Sequence, residues 1–230
     1  MKIKTNYSIS SYWEKIFSER SWGLYPPEEL IRFIARNHYL EKKKFTIKIL
    51  ELGCGPGPNI WYLVREGFAV AGIDISATAI KQAKERLTSE NLPYEAPLVD
   101  LRLGNINSLP WDSLSFDIIV DIEALYSNRL HDIRLTILEV YRTLKSGGKF
   151  FGKMFGVEST GSESGILVEP GTRINPTIGP CAGNAIAHFF TKDELVNLFS
   201  EFSTLNIDYV IRSDENQGIK IFEWIVVAQK

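Results

Sequence analysis

A seven-residue run, Glu51-Leu52-Gly53-Cys54-Gly55-Pro56-Gly57, constrains this chain more than any other feature. It directly follows an apolar, β-branched stretch, Ile47 to Leu52 (IKILEL), which predicts a strand. A helix over roughly Asn59 to Glu66 should come next, stopped by Gly67. Glycines at such a bend let the backbone turn sharply and let a ligand approach without a Cβ in the way. Asp74 closes the following strand, Ala69 to Ile73, seventeen residues after Gly57. In an open α/β sheet that spacing sets a carboxylate beside the glycine bend, suited to the two hydroxyls of a ribose.

The rest of the chain keeps the same rhythm. Ser76 is a good N-cap for a helix whose Ala79, Ile80, Ala83 and Leu87 share a face. Strands are expected over Leu98 to Leu103, Phe116 to Val120 and Lys149 to Phe155, with a helix over Leu130 to Leu144. Strands alternating with helical patterns predict βαβ units and a parallel sheet, an α/β fold. Residues 156–187 break the pattern with six glycines and three prolines, and read as an irregular functional loop inserted for substrate. Thr191-x-x-Glu194 then opens a helix through Phe202, and Leu205 to Arg212 with Ile219 to Ala228 form a terminal hairpin. Residues 1–45 form a helical preamble rich in aromatics and broken at Pro26-Pro27, so the single main domain is expected over 46–230.

Composition excludes several classes. With 230 residues, 44% hydrophobic and 23% charged, the chain has the make-up and length of a globular protein with a proper core. Its 26 Lys and Arg against 28 Asp and Glu, a net charge of −2, advertise no nucleic-acid partner. Two cysteines, Cys54 and Cys181, make neither a disulfide framework nor a four-cysteine zinc site, and predict a reducing, cytoplasmic compartment. The start MKIKTNYSISSYWEK lacks a signal-peptide core, and no apolar stretch is long enough to cross a bilayer, so no membrane is expected.

The ligand's chemistry is partly readable. A pyrophosphate site favours Gly-x-Gly-x-x-Gly with free backbone donors at the helix start. Here the spacing is Gly-x-Gly-x-Gly, Pro56 and Pro58 each remove a donor, and Glu51 adds negative charge at the turn. That combination favours an adenosine with a cationic amino-acid tail over a dinucleotide. An NAD-type oxidoreductase on a related sheet, or a non-catalytic cofactor-binding module, are the alternatives.

The segments ILELGCGPG (49–57), GIDIS (72–76), GNINSLPWDSLSFDIIVDIEAL (104–125) and LKSGGKFF (144–151) resemble the class I S-adenosylmethionine-dependent methyltransferases, in order and in spacing. The resemblance implies a Rossmann-like, doubly wound, seven-stranded, mostly parallel sheet with an antiparallel C-terminal hairpin strand. It also implies S-adenosyl-L-methionine as cofactor and S-adenosyl-L-homocysteine as product. By position, Glu51, Gly53, Cys54, Gly55 and Gly57 would line the methionine and ribose part of the cofactor, and Asp74 would grip the ribose. Ile75, Asn105 and Ile106 would sit at the adenine, with Asp121, Ile122 and Glu123 near the cofactor tail and the acceptor. Asn105 stands where many members carry aspartate, and its side-chain oxygen can still accept from an amine. The preamble is similar to the N-terminal lid of small-molecule members, which makes Trp22 and Tyr25 candidates to close over a sulfonium by cation–π attraction.

For catalysis the candidates are His188, next to the irregular loop, and Glu123, because a histidine common after the fourth strand is replaced by Ser127 and Asn128. No Asn/Asp-Pro-Pro-Tyr motif follows that strand, and no basic module is appended. A small-molecule acceptor is therefore expected, without a metal, on a monomer or homodimer.

Overall fold

Alternating burial builds a two-faced sheet in the computed structural model, which describes residues 9–95 and 97–230. The expected preamble begins at residue 1, so its first eight residues, including most of the MKIKTNYSIS start, lie outside the described residues. Two helices follow, α1 (Ile9–Glu19) and α2 (Glu28–His38), separated by the segment that holds Pro26 and Pro27. A 3-10 turn (Lys44–Thr46) then leads into the sheet strands β1 (Lys48–Leu52), β2 (Ala69–Asp74), β3 (Val99–Leu103), β4 (Phe116–Ile122) and β5 (Leu144–Phe155). Helices α3 (Pro58–Arg65), α4 (Ala77–Ser89) and α5 (Leu130–Thr143) supply the crossovers.

The main sheet has seven strands in the order β3-β2-β1-β4-β5, followed by β10 (Ile219–Gln229) and β9 (Thr204–Asp214). The first five run parallel, and β10 pairs antiparallel with both β5 and β9. This is the expected Rossmann-like α/β sheet with its antiparallel C-terminal hairpin. Successive strand residues serve opposite faces. Ile49, Ile118, Val120 and Phe151 join a core with α2, α3 and α4, whereas Leu50, Leu52, Ile119 and Phe150 pack with α5 and the helix α6 (Lys192–Leu198).

Strand order reverses between β1 and β4, so the crevice beyond their C-terminal ends is the topological switch point where open α/β sheets bind ligands. Ser76 caps α4 as expected, its Oγ accepting from Ala79 N at 3.1 Å. Thr191 caps α6 in the same way at 3.2 Å, but Glu194 does not complete a capping box: its carboxylate takes His188 instead.

One expectation is corrected. Residues 156–187 are not structureless, because β6 (Ile166–Glu169), β7 (Thr172–Ile174) and β8 (Ile186–His188) form a three-stranded antiparallel sheet. Strands of three or four residues are too short to print a period of two in the sequence. Among the described residues no helix is long and apolar enough to cross a membrane.

Candidate functional site

The glycine bend owes its shape to two close approaches. Gly53 has φ +57°, and a side chain there would run into the Ala124 methyl beyond β4. Gly57, at φ +82°, starts α3, and a Cβ on it would meet the Ala83 methyl of α4 at 2.9 Å. The first glycine thus keeps the switch point open, and the last lets two helices touch.

Asp74 ties the bend together from the end of β2. Its Oδ2 accepts from Gly55 N and its Oδ1 from Ser76 N, both at 2.8 Å. Burial still raises its pKa above the ordinary carboxylate value against those donors. Each oxygen keeps a further lone pair, enough to accept from a vicinal diol.

Glu51 sits at the C-terminal end of β1, 2% exposed. Asn59 Nδ2 donates to its Oε1 at 2.5 Å, while Oε2 has no partner among the described residues. Burial, reinforced by the nearby Asp74 and Asp121 charges, pushes its pKa up to about 8. A buried carboxylate oxygen without a donor is costly unless something cationic or protonated meets it.

These groups border a cavity of about 800 Å³ at the switch point, within the roughly 300–1,000 Å³ typical of small-molecule sites. Glu51, Gly53, Cys54, Gly55 and Asp74 all line it. So do Ile75, Asn105, Ile106, Ile122 and Glu123, and Trp22 and Tyr25 border it from the preamble. Asn105 also turns inward on its own loop, its Oδ1 accepting from Asn107 N at 3.2 Å. Trp22 leans edge-on against Phe17 at 5.2 Å, and Tyr25 against Trp61 at 5.6 Å. The Cys54 thiol is buried, which pushes its pKa up, so it packs as a small apolar group.

Three expected site residues stand elsewhere. Gly57 does not border the cavity and serves the α3–α4 contact instead. Asp121 is fully buried in β4, where its Oδ1 accepts from Leu125 N at 3.0 Å to start the 3-10 turn Leu125–Ser127. Its Oδ2 has no partner among the described residues, and burial lifts its pKa to about 8. His188, the expected catalytic histidine, is fully buried in β8 away from the cavity. Its ring nitrogens meet Thr172 Oγ1 at 2.7 Å and Glu194 Oε2 at 2.9 Å, so it pins the small sheet to the start of α6.

The sequence reading missed a charged cluster on the other flank of the switch point. Lys153 Nζ donates to Glu123 Oε1 at 2.8 Å and to Glu223 Oε1 at 2.7 Å, and Arg212 Nε lies 3.5 Å from Glu223 Oε2. All four residues border the cavity. Burial pushes Glu123 up, but Lys153 and Arg212 outweigh it and hold its carboxyl below the ordinary value. Burial and the Glu123 charge raise Glu223. A signal was present: Lys153 interrupts Phe150-Phe151-Gly152-Lys153-Met154-Phe155, and Glu223 sits inside Ile221-Phe222-Glu223-Trp224-Ile225. Lysine and glutamate inside buried strands occur almost only when paired.

Helix α1 borders the cavity from above and is fastened on three sides. Trp13 Nε1 donates to Ser127 Oγ at 2.9 Å, and Tyr12 Oη to the Gly183 carbonyl at 3.1 Å. Glu14 accepts from Ser76 Oγ at 2.6 Å and from Thr78 Oγ1 at 2.5 Å, at the start of α4.

Known proteins resemble this chain in sequence and in fold. A methyltransferase-domain family profile matches residues 50–152. Over 91% of this chain and 99% of the other, the fold superposes on a crystal structure of an S-adenosylmethionine-dependent methyltransferase from Methanosarcina mazei, with TM-score 0.67 and 28% identity. Residues 50–152 thus carry a methyltransferase domain, in a fold similar to that of S-adenosylmethionine-dependent methyltransferases. S-adenosylmethionine is accordingly its cofactor. The buried, partnerless Glu51 oxygen and the glycine bend fit that group's cationic tail. Among curated methyltransferases, the phthiotriol/phenolphthiotriol dimycocerosates methyltransferase of Mycobacterium tuberculosis is 32% identical over 105 residues, 45% of this chain. That match spans only 36% of the mycobacterial enzyme's length. A tRNA N(3)-methylcytidine methyltransferase, Mettl2 of Drosophila melanogaster, is 24% identical over 92% of this chain and 65% of its own length.

Proposed function

We propose that this methyltransferase moves a methyl group from S-adenosyl-L-methionine to a small-molecule acceptor in the cavity, leaving S-adenosyl-L-homocysteine. The observation that carries the reading is the cavity beneath α1, of metabolite size and bordered by the glycine bend on one flank and the Glu123 cluster on the other. The cofactor supplies an already activated sulfonium methyl for in-line displacement. The chain's own task is then mainly alignment, which is worth roughly 7–11 kcal/mol, whereas a general base adds about 3–5 kcal/mol. Asp74 would hold the ribose hydroxyls, Glu51 the cationic tail, and Ile75 with Asn105 and Ile106 the adenine. Helix α1 and the segment with Trp22 and Tyr25 would act as the lid, with residues 46–230 as the methyltransferase domain and 156–187 bounding the acceptor. Glu123 is the candidate proton acceptor; His188, committed to Thr172 and Glu194, is not.

The tRNA-modifying relative raises the question of a polymer substrate. A net charge of −2 supports a metabolite instead, since nucleic-acid binding rests on neutralising phosphates with excess lysine and arginine. Cys54 and Cys181, both free and buried, accord with a reducing, cytoplasmic setting. The test is transfer of a labelled methyl group from S-adenosylmethionine into a cell extract. Label should enter the low-molecular-weight fraction; label in the RNA or protein fraction alone would overturn the assignment.

A further inference from the structure

We propose that the acceptor is an acidic hydroxyl compound, a phenol or enol, whose oxygen is held by Lys153 and Arg212 and whose proton passes to Glu123. This rests on the methyl-transfer reading above and specifies its acceptor. The cluster is built by strand register. Lys153 on β5 faces Ile225 of β10, so Glu223, two residues along, is its diagonal neighbour on the same face. Glu223 in turn faces Val210 of β9, and Arg212 is the next diagonal neighbour. Glu123 closes the row from the end of β4, its backbone N donating to the Lys153 carbonyl at 2.9 Å.

Two features of this row point to a ligand and not merely to stability. Buried ion pairs seldom outperform apolar packing of the same volume, yet here Lys153 (side chain 6% exposed) and Glu223 (0%) are buried at a cavity wall. Glu123 holds φ +58°, a backbone conformation sparsely populated by residues with a side chain and typical of functional positions.

The donor and acceptor balance selects the ligand class. Lys153 has three N–H donors and donates two to carboxylates. Arg212 is half exposed and touches its carboxylate partners only at 3.5 and 3.7 Å, which leaves most of its five donors to offer. An ammonium acceptor would meet two cations there, with the carboxylates already engaged. A carboxylic acid acceptor would arrive ionised and need no base. An alkyl alcohol is too weakly acidic for a carboxylate to deprotonate. A phenol or enol, with a pKa near that of tyrosine, about 10, is the class that two adjacent cations bring into range.

The acceptor O–H bond breaks and its proton goes to the Glu123 carboxylate. The oxygen's electron pair forms the O–CH3 bond, while the S–CH3 pair stays on sulfur. Glu123 is held below the ordinary carboxyl value and Glu223 above it, so Glu123 is the first of the two to ionise as pH rises. The titratable and charged groups that face Glu123 are Lys153, Glu223, Arg212, Asp121, Tyr126 and Cys181.

The test uses 4-nitrophenol, whose ionised form is yellow, titrated with pH on the full chain with and without S-adenosylhomocysteine. In the wild type the bound phenol should ionise about one pH unit below the free compound, roughly tenfold in ionised ratio. Glu223→Gln should lower that midpoint further at pH values where Glu223 is ionised, because the variant cannot place that negative charge beside Lys153. Lys153→Met should raise it to or above the free value, and Lys153→Arg should keep it low. Opposite shifts from two neighbours are not what loosened packing would give, and Glu223→Gln carries the test if Lys153→Met fails to fold. No binding, an unshifted midpoint, or same-direction shifts in both variants would overturn the proposal. Calorimetric binding of S-adenosylhomocysteine, measured alongside, separates the two claims. If it binds while nitrophenol is silent, only the acceptor assignment fails; if it does not bind, the cofactor reading fails by itself.

Discussion

The two flanks of the cavity satisfy their charges in opposite ways. On the β1–β2 flank, among the described residues, Glu51 is buried with an unpartnered oxygen, and Asp74 meets only backbone donors. Both carboxyls have raised pKa values. On the β4–β5–β10 flank, Lys153, Glu123, Glu223 and Arg212 pair with one another. The first flank is therefore electrostatically incomplete and ready for a cationic ligand. The second pairs its charges internally and keeps spare donors on Lys153 and Arg212 for something acidic.

The largest test of this contrast is Gly53→Ala. A methyl there would strain a left-handed backbone and strike Ala124. Cofactor affinity measured by calorimetry should fall by roughly 3 kcal/mol or more, with part restored by adding Ala124→Gly. If affinity is unchanged, the bend does not set the cofactor's approach. Next in size is Asp74→Ala, expected to weaken S-adenosylhomocysteine binding by about 1.5–3 kcal/mol, the scale of hydrogen bonds to a charged group. Wild-type affinity in that variant would mean the ribose is held elsewhere.

Two buried carboxyls at the ends of β1 and β4 also predict an unusual pH response. Glu51 and Asp121 titrate near 8 when folded, against ordinary values of 4.5 and 3.8. Raised carboxyl pKa values mean that the folded chain binds more protons than the unfolded chain between about pH 4 and 8. Stability of the cofactor-free protein should therefore fall as pH rises through that window, by up to about 1.4 kcal/mol per unit for each group. Thermal melts from pH 5 to 8 check this, and Glu51→Gln or Asp121→Asn should each flatten the slope. A slope as steep in both variants as in the wild type would show that these carboxyls are not the cause.

The smallest expected effect belongs to the lid. Trp22 is 44% exposed and packs by its edge, so Trp22→Ala should cost about 0.5–2 kcal/mol of cofactor affinity and shift Tm very little. A large drop in Tm with intact affinity would reassign Trp22 to the core.

The same contrast explains what the sequence discloses. The incomplete flank is written in contiguous residues: Glu51 to Gly57 and Asp74 follow a strand–bend–helix–strand unit whose spacing alone dictates proximity. The parallel sheet is legible for the same reason, since each crossover is local. The internally paired flank joins Glu123, Lys153, Arg212 and Glu223 across a hundred residues, and only strand register brings them together. His188 illustrates the converse, a residue plausible by its chemistry but committed by packing to Thr172 and Glu194. The small sheet within 156–187 was hidden because its strands are shorter than any readable period.

The most direct single measurement is a crystal structure with S-adenosylhomocysteine bound. The account predicts ribose hydroxyls on Asp74, the amino group against the free oxygen of Glu51, and the sulfur turned toward the Glu123 and Lys153 flank. Density for the nucleoside outside this crevice, or with Asp74 and Glu51 untouched, would contradict it.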